Sequence, residues 1–120
     1  MLTLVLAVAL GVARPPDAHL ALGSTHVPVA VSSWCWHGHC GAPNAASTTV
    51  AVLPRGYTVN CVLAFQPTHV TLTVGGRVVP AINDGAVVIW RATSAGGFVL
   101  RVDSTAGWVV YVGRIALKHA

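Results

Sequence analysis

The chain has 120 residues, of which 54% are hydrophobic and only 8% charged, with a formal net charge of +4. That length supports one domain with its own hydrophobic core, and so much apolar material excludes a disordered chain. The three carboxylates, Asp17, Asp84 and Asp103, lie far apart in the sequence, and the seven cations stand singly. Paired-carboxylate hydrolysis and a basic stripe for nucleic acid are both excluded on that distribution.

Residues 2–13 form an apolar run of signal-peptide length, too short to span a bilayer. Small residues at Gly11 and Ala13 offer a cleavage site, so 1–13 reads as a signal peptide or leader, although no Lys or Arg precedes the run. The competing reading makes residues 3–9 the first strand of the domain. Arg14-Pro15-Pro16-Asp17 interrupts regular structure, and 14–24 reads as a linker. Residues 25–118 are left for the folded domain, with no transmembrane span beyond the leader.

Within that domain the periodicity is that of strands. Val27, Val29 and Val31 alternate with Pro28, Ala30 and Ser32, and Pro28 marks an edge. Residues 48–53 read as a second strand, closed by Pro54-Arg55-Gly56. Tyr57, Val59, Cys61, Leu63 and Phe65 share one face of a third, which places Cys61 in the core. Val70, Leu72 and Val74 alternate with threonines up to Gly75-Gly76, the signal for a hairpin with a primed turn. Further strands follow at 77–82, 86–90, 98–102 and 108–117, separated by Asn83-Asp84-Gly85, Gly96-Gly97 and the turn before Gly107. Seven or eight short strands at this spacing predict an immunoglobulin-like antiparallel β-sandwich.

The densest chemistry lies in Trp34-Cys35-Trp36-His37-Gly38-His39-Cys40. If the chain is exported it folds where nearby thiols oxidise. A Cys35–Cys40 disulfide closes a short loop around Gly38. A Cys35–Cys61 pairing is the alternative, and spacing alone does not choose between them. Local closure is favoured because Cys61 already has a place in the core. His37 and His39 are then exposed, while Trp34 and Trp36 pack beside the disulfide or cap the core. The other reading is a metal site for zinc or copper built from Cys35, His37, His39 and Cys40. It requires reduced thiols, and no carboxylate lies nearby to orient an imidazole.

No Gly-x-Ser-x-Gly elbow, P-loop or His-Glu-x-x-His occurs. Cys61 with His69 is the one nucleophile–base combination to weigh, and it is outweighed by Cys61 as core filler and His69 beside a turn. Asp84 and Asp103 read as turn formers. The expectation is a protein without catalytic residues and without a cofactor.

The order of apolar leader, Trp34-Cys35-Trp36-x-Gly38-x-Cys40, Pro54-x-Gly56-Tyr57 and glycine-punctuated terminal strands resembles small exported envelope proteins of actinobacteria. Richness in Ala, Val and Arg with a single Lys fits such a source. The resemblance implies a secreted or envelope-located sandwich and carries over no catalytic residue. The leader has no cysteine, so lipid attachment is not implied. The functional expectation is a non-enzymatic binding or structural module that presents the 34–40 loop to an unknown protein or envelope component. The alternative is an extracytoplasmic zinc- or copper-binding protein using the same loop.

Overall fold

Alternating Val, Leu and Thr with frequent glycine leaves the backbone little choice but extended segments joined by tight turns. The computed structural model describes residues 14–42 and 50–118. These residues form twelve strands and no helix. Sheet A contains β1 (His19–Leu22), β2 (Thr25–Pro28), β6 (Thr58–Val62), β9 (Ile82–Asp84) and β10 (Val87–Arg91), in the order β2-β1-β6-β10-β9. Sheet B contains β3 (Ala30–Trp36), β4 (His39–Gly41), β5 (Val50–Pro54), β7 (His69–Val74), β8 (Arg77–Val79), β11 (Gly96–Ser104) and β12 (Gly107–Lys118). Its path runs β4-β3-β12-β11-β7-β8, and β5 joins β12 as a parallel neighbour. The result is a two-sheet, all-β sandwich whose ladders are otherwise antiparallel.

Twelve strands replace the expected seven or eight, because β4 forms as the return arm of a hairpin with β3 and for three further local reasons. Residues 14–24, expected as linker, carry β1, which pairs with both β2 and β6. The Val27, Val29, Val31 run is not one strand. The chain leaves sheet A after Pro28, where a missing N–H cannot extend a ladder, and enters sheet B at Ala30. The expected strand at 77–82 likewise divides at Pro80, giving β8 to one sheet and β9 to the other. The leader reading of 1–13 and the start of the strand expected at 48–53 lie outside the described residues. The Gly75-Gly76 hairpin is present, with φ of 58° and 80° and Val74 opposite Arg77, the geometry of a primed turn.

The core is the inner face of both sheets. Leu20, Val59, Cys61, Val88 and Trp90 come from sheet A, and Leu72, Val74, Phe98, Leu100, Val102, Val109, Tyr111 and Ile115 from sheet B. The ring of Trp90 meets that of Phe98 at 5.7 Å between centroids, across the sandwich. Phe98 lies opposite Gly113 on β12, and a Cβ there would strike the phenyl ring, so Gly113 is the space Phe98 occupies. Cys61 is fully buried between Leu20 and Val88, with Val59 and Leu63 buried beside it, as the alternation implies.

Tyr111 is a fully buried core residue with a polar tip. Its hydroxyl donates to the Pro16 carbonyl at 2.7 Å, tying the segment before β1 to the centre of sheet B. Tyr111→Phe removes that donor and leaves the carbonyl unpaired. Its cost is roughly 1–2 kcal/mol in urea denaturation, and no loss would show that water replaces the hydroxyl freely.

Burial pushes the Cys61 thiol up from 9.0 to about 12. Burial also pushes the Tyr111 hydroxyl up, with smaller repulsion from Cys61 and Asp17. Both acids ionise earlier in the unfolded chain. The stability linked to Cys61 is therefore complete below pH 9.0 and is lost as pH rises towards about 12. Stability measured against pH is expected to decline across that window, and less steeply in Cys61→Val, which itself costs only about 1–2 kcal/mol in packing. The same alkaline slope in Cys61→Val would assign the decline elsewhere.

Candidate functional site

The 34–40 segment is a two-residue β-hairpin rather than an open loop. Its turn residues, His37 and Gly38, have φ of 50° and 79°, and Trp36 lies opposite His39. A primed turn requires that left-handed backbone at both positions. Glycine adopts it freely at Gly38, and histidine is among the side chains that tolerate it. One step further from the turn, Cys35 lies opposite Cys40 with Cα atoms 4.0 Å apart, and their sulfurs are bonded. Cys61 is a free thiol, so the pairing left open by spacing is the local one.

A bulge in β3 decides which way these side chains point. Val110 pairs with Ser33 and Tyr111 with Val31, so Ser32 is the extra residue. The bulge reverses the parity of the strand. Val31 and Trp36 therefore both lie on the inner side, although simple alternation would put residues five positions apart on opposite faces. Trp36 is only 5% exposed and meets Phe65 edge-on at 4.9 Å. Trp34 lies over Gly41, where a Cβ would come within 2.6 Å of the indole, and its Nε1 is shielded from solvent. Both tryptophans brace the hairpin from beneath. His37 and His39 are exposed at the tip, with the His37 ring edge-on to Trp36 at 6.0 Å.

Directly opposed residues in antiparallel strands share a face. Cys40 opposes Cys35, Cys35 opposes Trp108, Trp108 opposes Asp103, and Asp103 opposes His69. These five residues form one transverse row over the outer face of sheet B. The Arg101 guanidinium covers the Trp108 ring at 4.8 Å and reaches the Asp103 carboxylate at 3.2 Å. His69 Nε2 lies 3.3 Å from the Thr71 hydroxyl. The exposed ion pair contributes little stability. Together with the indole it fixes the position of a cation on an otherwise flat face.

This placement separates groups that the sequence set side by side. Cys35 projects from the outer face, while His39 shares a side with Trp36 beyond the chain reversal. Both sulfurs are taken up in the disulfide and offer no thiolate. No cluster of three or more His, Cys, Asp or Glu is gathered as metal ligands among the described residues. Cys61 lies in the core and His69 on the outer face of sheet B, so they are not a nucleophile–base pair. Asp84 closes β9 beside a turn, whereas Asp103 is within β11 and belongs to the row. Trp108, Arg101, Asp103 and His69 are the members of this surface that sequence reasoning missed. Their only local signal was the hairpin joining β11 and β12, which sets Trp108 against Asp103.

Comparison with protein-family models, curated proteins and solved structures finds no match to this chain.

Two substitutions separate the contributions at this end of the sheet. Replacing Cys35 and Cys40 by serine removes a short closed loop and is expected to lower stability by about 2 kcal/mol. Trp36→Ala opens a core cavity and is expected to cost about 3–5 kcal/mol. Denaturant titration of both variants checks the order. A larger loss from the serine pair than from Trp36→Ala would place the bracing in the disulfide instead.

Proposed function

We propose that this chain is an exported, non-enzymatic immunoglobulin-like β-sandwich module that binds a protein or envelope component through the disulfide end of sheet B. The observation that carries this reading is the crosslinked hairpin itself. A disulfide spans its two strands, two tryptophans support it from below, and its outer face continues into Trp108 and Arg101. A surface held in one conformation before contact loses little entropy on binding. Aromatic and arginine side chains are the types that anchor interfaces. Disulfides persist in oxidising compartments, which supports a secreted or envelope location, as does the apolar leader. Consumption of both thiols removes support from the zinc- or copper-binding alternative at this loop.

The test has two parts. Intact mass of protein recovered from the extracytoplasmic fraction is expected to show loss of the leader and one disulfide, the latter gained back as two hydrogens on reduction. Retention on isolated cell envelope is then compared between the wild type, Trp108→Ala and a His37→Ala/His39→Ala double variant. Each variant is expected to bind about tenfold more weakly, the order expected for loss of one anchor. Full-length, reduced protein confined to the cytoplasm would overturn the export reading, and unchanged retention in both variants would overturn the contact surface.

A further inference from the structure

The outer face of sheet A carries a second pair of histidines, remote from the hairpin. In β1 and β2, His19 lies opposite Pro28 and His26 opposite Ala21, so the two imidazoles are diagonal neighbours on one face. Their ring centroids are 4.7 Å apart, with planes at 62°. Two imidazoles bound to one zinc, at Zn–N of about 2.0–2.1 Å and a near-tetrahedral angle, bring their centroids to about 5 Å. The observed centroid spacing is close to that of two imidazoles sharing one zinc. Neither ring makes a hydrogen bond among the described residues, so the nitrogens are open to a ligand.

Among the described residues nothing near the pair completes a coordination shell. The cross-strand neighbours are Val62 beside His19, and Asn60 beyond Ala21 in the row of His26. Asp84, in the row of His19, is separated from it by Val62 and Val87. Structural zinc takes four protein ligands, and this chain supplies two. Among the described residues β2 is the end strand of sheet A, with no strand on its other side, and His26 is exposed on it. Pro28 removes an N–H donor from that edge and so disfavours joining two copies by extending the sheet. Contact through side chains is favoured instead.

We propose that His19 and His26 form a zinc half-site, completed by the same pair from a second copy. One zinc ion would then join two chains through a two-fold contact at the β2 corner. This site shares no residue with the hairpin surface, so it stands independently of the binding role assigned to that surface.

The probe is zinc chloride added to the purified, oxidised protein, read by sedimentation velocity and by the zinc content of the separated species. The expected result is a doubling of mass with one zinc per two chains, reversed by EDTA. His26→Ala and His19→Ala are each expected to remain monomeric in zinc. Both side chains lie on the surface, and an unchanged circular dichroism spectrum confirms folding. The His37→Ala/His39→Ala variant is expected to dimerise as the wild type does. A monomer at every zinc concentration, one zinc held per monomer, or dimerisation that survives His26→Ala would each overturn the proposal.

Discussion

Everything in sheet B depends on the pairing of β12 along both of its sides. One side of this twelve-residue strand runs against β11 from Gly107 to Ile115. The other is shared, with β3 covering residues 107–112 and β5 covering 114–118. Pairing a central strand on both sides satisfies most of its backbone polar groups, which burial would otherwise penalise. Its inward residues, Val109, Tyr111, Gly113 and Ile115, supply the floor of the core. On that shared side β3 runs antiparallel to β12 and β5 parallel to it.

Tyr111 extends that constraint to the other sheet. Its ring belongs to the core and its hydroxyl holds the Pro16 carbonyl, just before β1 begins. The segment that looks like a linker is thus fastened to the middle of sheet B and presented to sheet A, where β1 bridges β2 and β6. A buried hydroxyl without a partner is costly, so this single hydrogen bond makes the position of β1 part of the core's own satisfaction.

The functional end follows from the same register. With β3 locked to β12, the Ser32 bulge turns Trp36 inward and leaves Cys35 beside Trp108. Apolar support below and a disulfide above then hold the hairpin tip, where His37 and His39 face solvent. The resulting face carries one half-buried indole, Trp108, with a stacked guanidinium, and has a charge pattern set by Arg101 and Asp103.

By itself the sequence determined the class of structure and several local features. Alternation over two to five residues is enough to dictate strands, to place Cys61, Val59 and Leu63 on one buried face, and to mark the Gly75-Gly76 hairpin. The local Cys35–Cys40 pairing was favoured by proximity in the chain and a competing role for Cys61, and the structure decided it. These features are encoded by neighbours, so reading neighbours recovers them. Which sheet each strand joins was decided only by tertiary structure, and so the breaks at Val29 and at Pro80 escaped the alternation. The same is true of the row from Cys40 to His69 and of the histidines brought together on β1 and β2. Register between strands far apart in sequence is set by the joint packing of the whole core, and a one-residue bulge at Ser32 reverses every side chain beyond it.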